Sequence, residues 1–272
     1  MTVLLSLATR FAGAGICLGL LFGSGLVAGN SSRAGEASPA KSDWDISIGA
    51  GIGYQPRFAI GEPYRLTPLP YVDISWRDRA FLSTEDGLGY NLVHRAGFNL
   101  GPFLDWSEGR REQASSRLSG FGDVKPSPQA GLFAEYAPSE LLRVYARAKR
   151  SLVHRSGLVA EAGGELNLPI GKWLVVSSKA SGSWADHAEL QDFYGVDPAQ
   201  SAASGLPTYR PHASAQDVAA EETVILLLRQ HLALNGVLGY RHLLAQAAAS
   251  PLVRQRGERN QISYGVILVY NF

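Results

Sequence analysis

The chain has 272 residues, enough for one barrel or for one to two globular domains. A formal net charge of +1 speaks against a nucleic-acid-binding module, for which a strongly basic domain is expected. Thirty glycines, 11 tyrosines and 5 tryptophans, with only 18% charged residues, suit many short strands and tight turns better than a helical protein. The one cysteine, Cys17, lies in the N-terminal apolar stretch. Without that stretch the chain has no thiol, no disulfide and no cysteine-based metal site.

The first residues read as a signal peptide over 1–28. Arg10 supplies the positive flank, Phe11 to Val27 forms the apolar run, and small residues follow, with a cut after Ala28 or after Ala34. The alternative is a membrane-anchoring helix, since roughly 17 residues is the lower limit for a span. Cys17 lacks the preceding Leu-x-Gly pattern of a lipoprotein. Residues 29–43 then form a periplasmic segment, and 44–272 an outer-membrane barrel.

Past residue 30 no window resembles a transmembrane helix; the longest apolar stretch is Thr223 to Leu228. Period-two alternation recurs instead, as strands with two different faces require. In the first strand Ile46, Ile48, Ala50, Ile52 and Tyr54 alternate with Ser47, Gly49, Gly51 and Gly53, a small-residue face that fits a crowded, curved wall. Further strands follow at Tyr64–Arg77, Phe81–His94, Gly97–Ser107, Lys125–Ala137, Leu141–Leu152, Gly157–Leu168, Lys172–Trp184, Asp217–Arg229 and Leu232–Leu243. The segment Phe81–His94 is broken by Glu85-Asp86-Gly87, a good turn sequence. In the last strand Ile262, Tyr264, Val266, Leu268, Tyr270 and Phe272 share one apolar face with aromatic residues near both ends. That is the form of a lipid-facing strand, and Tyr264, Val266, Leu268, Tyr270 and Phe272 read as the C-terminal signal for outer-membrane insertion.

Single-chain bacterial barrels have even strand numbers, which favours twelve strands with a turn at Asp86-Gly87 over eleven; ten or fourteen remain open. The fold class is thus all-β, a transmembrane antiparallel up-and-down barrel. Short links near Arg77–Arg79, Pro138–Glu140, Pro169–Gly171 and Gln230–His231 are expected on the periplasmic side. Long ones through Gly109–Val124, Ala185–Gln216 and Leu244–Asn260 are expected outside.

Arg143, Tyr145, Arg147 and Lys149 share one strand face, and Glu161 and Glu165 share a face of the next. Arg or Lys at mid-membrane on the lipid face costs roughly 2–4 kcal/mol, so these faces point into the lumen. A hairpin pivot near His154 sets Arg147 opposite Glu161 and Arg143 opposite Glu165; a pivot near Ser139 sets Glu135 opposite Arg143. Opposed side chains interact, so an interior ladder of Glu135, Arg143, Glu165, Arg147 and Glu161 is expected. It either neutralises charge in a narrow barrel or tunes a pore.

Little suggests catalysis. There is no Gly-x-Ser-x-Gly elbow and no His-x-x-x-His or similar zinc spacing; the six histidines are scattered. Asp186, Glu189 and Asp192 could hold calcium in a loop but are expected to be solvated. Gly49-x-Gly51-x-Gly53 lacks the third glycine spacing and the helix of a nucleotide loop. Arg110, Arg111 and Arg117 form a small basic patch that could touch lipopolysaccharide phosphates. No catalytic residue, metal or cofactor is expected.

Several segments together resemble the MipA/OmpV family. They are Trp184-Ala185-Asp186, Tyr194-Gly195-Val196, Ser201 to Pro207 with Gly205, Tyr209-Arg210-Pro211, Asp217-Val218, Ser250-Pro251-Leu252-Val253 and Asn260-Gln261. Gly120-Phe121-Gly122-Asp123-Val124 is similar to the family's Leu-Gly-Asp segment. The resemblance implies a non-enzymatic outer-membrane barrel whose partners are membrane lipid and lipopolysaccharide, the barrel-assembly machinery, and a lytic transglycosylase with a murein synthase. A scaffold for murein-remodelling enzymes follows. The alternatives are a surface-binding protein or adhesin using the 185–216 loop, with Tyr194 and Tyr209 as an aromatic surface, and a narrow channel.

Overall fold

The computed structural model describes residues 43–56, 60, 64–153 and 157–272. The signal peptide and nearly all of the periplasmic segment lie outside them. Thirteen strands form one sheet: β1 (Trp44–Pro56), β2 (Tyr64–Trp76), β3 (Ala80–Ser83), β4 (Gly87–Tyr90), β5 (Val93–Arg95), β6 (Phe98–Ser107), β7 (Ser127–Ser139), β8 (Leu142–Ser151), β9 (Leu158–Ile170), β10 (Leu174–Ala185), β11 (Ser214–Arg229), β12 (Leu232–Leu243) and β13 (Asn260–Asn271). β4 and β5 both pair with β6, at Leu88↔Leu104 and at Val93↔Leu100, and count as one wall strand with a one-residue irregularity. The wall therefore has twelve strands, all antiparallel and closed.

Closure is made by the chain's two ends. β1 pairs β13 from Ser47↔Asn271 to Tyr54↔Tyr264, and the Phe272 amide donates to the Ile46 carbonyl at 3.0 Å. A membrane sheet has to close in this way, because an open edge in hydrocarbon leaves unpaired amides at several kcal/mol each. The alternation read from the sequence sets the two faces: Ile48, Ile52, Leu66, Leu132, Tyr264 and Phe272 are exposed to the bilayer. Aromatic pairs mark both rims, Trp44 with Trp76 (6.2 Å) at one and Tyr54 with Tyr264 (5.6 Å) at the other. From Trp44 to Tyr54, at about 3.3 Å per residue and a tilt of roughly 40°, the rise is about 25 Å, the height of an outer-membrane apolar band.

Short turns gather at the rim that carries Trp44 and Phe272. Arg95↔Phe98 is closed by Ala96 and Gly97 with φ of 51° and 78°, both in the left-handed region that suits a two-residue hairpin. Arg229↔Leu232 and Ser139↔Leu142 are equally tight. This rim faces the periplasm, and the long links rise from the other. They are not bare loops. The 186–213 link carries α1 (His187–Tyr194) and α2 (Pro198–Ser204), and the 244–259 link carries α3 (Ala245–Ala249) and α4 (Pro251–Arg256). α2 starts on a capping box, the Asp197 carboxylate accepting from the Gln200 amide while the Gln200 side chain accepts from the Asp197 amide, and ends at Gly205 with φ 75°.

The small-residue face of β1 packs the closure seam. A Cβ at Gly51 would come within 2.1 Å of the Val266 carbonyl oxygen, whereas one at Gly236 would meet nothing within 4 Å. Gly51→Ala is expected to cost at least about 1–3 kcal/mol and to deplete the compact, heat-modifiable form on gels, while Gly236→Ala leaves that form intact.

Candidate functional site

The inner face of β6 to β12 holds a chain of charges. Arg143 stands directly opposite Glu165, and Arg147 opposite Glu161. Arg143 is 3% exposed; its Nη2 lies 2.5 Å from Glu165 Oε2 and its Nη1 3.1 Å from Glu135 Oε2. Glu135 itself is paired with Tyr145, not with Arg143, because the β7–β8 hairpin pivots one residue later than Ser139 and carries an irregularity between Tyr136 and Ser139. Arg143 reaches it diagonally, a distance long side chains span. Asn99 Nδ2 and Ser177 Oγ donate to the remaining oxygens of Glu135 and Glu165. The result is a buried cation between two hydrogen-bonded carboxylates near the periplasmic end of the lumen.

Higher in the barrel the network takes in residues that strand alternation alone does not bring together. β3 and β4 are only four residues long, so their turn, Thr84 to Asp86, reaches the lumen side of the wall instead of the outer rim. Asp86 accepts from Arg147 at 2.9 Å, and Glu85 pairs with Lys179 at 3.6 Å. Asp105 takes Lys149 at 2.5 Å. Tyr145 donates to Glu161 at 2.9 Å, and Arg143, Arg147 and Lys179 each lie over its ring at 5.3–5.7 Å. Phe81, Phe103 and Phe133 pack edge to face beside it. Lys149 shares a face with Arg143 and was legible by parity; the inward turn carrying Glu85 and Asp86 has no local signature.

The family-matching segments form a lid at the outer rim. Leu190, Tyr194, Val196 and Leu206 build a core with Leu118, Phe121, Leu252 and Ile60. Tyr194 is 1% exposed and the Tyr209 hydroxyl donates to the Gln246 carbonyl, so these two are lid structure and not an aromatic binding surface. Arg110 is likewise buried: it donates to the Phe193 carbonyl and lies over Phe121, which removes it from an external basic patch. Arg256, unremarkable in the sequence, joins three links by donating to the carbonyls of Arg117, Ser119 and Ser204. Ser250 Oγ donates to the Tyr194 carbonyl at 2.6 Å. Asp186 spends its carboxylate on the α1 N-terminus, accepting from the Glu189 amide, while Trp184 remains on the lipid-facing rim and Gly205 and Pro207 shape the exit from α2. No cluster of three or more metal-type ligands occurs among the described residues.

Two cavities of about 420 Å³ each lie beneath and beside the lid, and Ser107, Gln129 and Glu189 border both. Burial, then repulsion from Asp192 and Asp186 and against the pull of Lys149, pushes the Glu189 carboxyl up to about 7. An acid whose folded pKa is raised favours the folded lid below its unfolded value, near 4.5, and that contribution is lost as pH rises through 7. Amide exchange in residues 187–204, corrected for intrinsic rate, is therefore expected to quicken from pH 5.5 to 8.5, and Glu189→Gln to flatten the change. At the inner end, Arg143→Met strands two buried carboxylates and is expected to lower stability by about 3–5 kcal/mol in urea unfolding. Adding Glu135→Gln and Glu165→Gln to it is expected to recover most of the loss.

Among solved structures, the NanC porin is 10% identical, with 84% of this chain and all of that one aligned at a TM-score of 0.45. An outer-membrane channel from Pseudomonas putida F1 is 9% identical over 89% of this chain and 100% of that one, TM-score 0.43. No curated protein matches the sequence. The family described as "MltA-interacting protein MipA" matches residues 48–272. That span takes in the wall, the charged lumen and the lid, and the chain belongs to the MipA family of outer-membrane β-barrel proteins.

Proposed function

We propose that this barrel acts as a non-enzymatic interaction protein of the cell envelope, holding a murein-remodelling enzyme at the inner surface of the outer membrane. The observation that carries the reading is the buried ion-pair knot in the lumen together with the packed lid. Arg143, Glu135 and Glu165 form a buried knot toward the periplasmic end, and the lid has a hydrophobic core of its own at the other. A lumen crowded by a buried ion-pair knot at its inner end is poorly suited to free diffusion through the barrel, and its rigidity suits a platform. The family description, an MltA-interacting protein, supports a murein-enzyme partner, which we take to be of the lytic transglycosylase class.

The contact surface is then the periplasmic rim. There Trp173 is 60% exposed beside Lys172 and Gly171, and Arg77, itself exposed, donates to Asp43 at 2.7 Å. These turns offer aromatic and charged groups held by the wall. In pull-downs from detergent, Trp173→Ala with Arg77→Ala is expected to weaken capture of a lytic transglycosylase at least tenfold, whereas lid variants such as Arg256→Ala leave it unchanged. Capture that depends on the lid and ignores the turns would sink the periplasmic reading. In planar bilayers the wild-type barrel is expected to insert without steady conductance.

A further inference from the structure

The outer half of the lumen, above the Arg143 knot, holds a cavity of about 420 Å³ bordered at its upper edge by Glu189 of α1 and Gln216 of β11. Its wall charges divide into two sets. Lys149, Arg147 and Lys179 are neutralised by Asp105, by Asp86 with Glu161, and by Glu85. Arg241, Asp217, Glu221 and Glu189 also line the cavity, and none has an ion-pair partner among the described residues.

The strand register shows how the second set is arranged. Ala219 on β11 stands directly opposite Arg241 on β12 and Ser181 on β10. Asp217 and Glu221 flank Ala219 two residues to either side, each diagonal to Arg241. Two small side chains thus make a floor, with a guanidinium on one side and a carboxylate above and below. Lys179, directly opposite Glu221, directs its ammonium to Glu85 instead. At the upper edge Ser183 Oγ and Gln216 Oε1 are buried with no hydrogen-bond partner. Charges without an ion pair bordering one cavity are costly unless something else satisfies them.

We infer that this floor is a binding site for a small zwitterion with surplus positive charge, the class of basic amino acids and short basic peptides. Its carboxylate would sit on Arg241 and its ammonium groups on Glu221 and Asp217, the latter already accepting from Gln216 Nε2 at 3.3 Å. The second cavity, which shares Ser107, Gln129 and Glu189 with the first, would be the route from outside. A solute of this class fits the space; a single acid or a neutral sugar would leave the three carboxylates without partners. This inference goes beyond the interaction role and stands or falls apart from it.

The test is calorimetric titration of the folded, full-length mature protein in detergent with L-lysine, dilysine, L-glutamate and glucose. L-lysine and dilysine are expected to bind, with L-glutamate and glucose at least tenfold weaker. Glu221→Gln and Arg241→Gln are each expected to weaken L-lysine at least tenfold. Ala219→Leu, which fills the floor and keeps every charge, is expected to abolish binding; heat-modifiable mobility on gels reports that each variant is folded. No binding of L-lysine or dilysine at millimolar concentration, equal binding of glucose, or L-lysine binding that survives all three substitutions in folded protein would overturn the assignment.

Discussion

Everything in this molecule depends on the sheet closing on itself through its two ends. Ladder bonds between β1 and β13 are what supply that, and they tie the first described strand to the last. The requirement reaches down to single residues. Where β13 approaches, a Cβ at Gly49 or Gly51 would press on the Leu268 or Val266 carbonyl, and one at Gly53 would meet Leu69 of β2. A closed wall also fixes which face looks inward, because side chains alternate strictly along each strand. Once the wall is closed, each polar side chain with lumen parity has to find a partner in a confined, poorly hydrated space.

The charged lumen is the consequence. A buried guanidinium is tolerable when its donors and the acceptors around it are all used, and a broken set is far worse than none. Arg143 meets that condition by using two carboxylates, which in turn accept from Asn99 and Ser177. Arg147 and Lys179 meet it less completely and recruit the β3–β4 turn. The gradient from a saturated knot at the periplasmic end to groups without an ion pair at Asp217, Glu221 and Arg241 follows the space available. Where the strands crowd, partners are close; where a cavity opens, they are not.

Much of this was legible in the residues. The period-two faces, the twelve-strand wall, the Arg143–Glu165 and Arg147–Glu161 oppositions and the long outer links all follow from alternation, turn chemistry and parity. What was hidden depends on contacts distant in sequence. Whether Glu135 meets Arg143 directly or diagonally turns on one residue at the β7–β8 turn, which no pattern fixes. Tyr194 and Arg110 look like surface groups in polar links, yet both are buried because three links fold over one another into a common core. Arg256 organises that core only through carbonyls contributed by two other links.

The short β3–β4 hairpin ties wall, plug and lid together. By stopping at Ser83 it brings Glu85 and Asp86 into the lumen, where they neutralise Lys179 and Arg147. The same stop leaves β2 without a described ladder partner on that side from Tyr64 to Tyr71, beyond the Thr84 amide's bond to the Val72 carbonyl. Pro68 and Pro70 fall in this stretch, residues that are tolerated on an edge because they have no amide to leave unpaired. This stretch lies opposite Gly49–Pro56 of β1, in the outer half of the wall. Ile60, from the link that leads into β2, is 1% exposed within the lid core, and the Glu258 amide donates to its carbonyl at 2.7 Å. The lid therefore does more than close the mouth. It anchors the approach to the one stretch of wall that the inward turn leaves open, so that plug, proline-bearing edge and lid depend on one another.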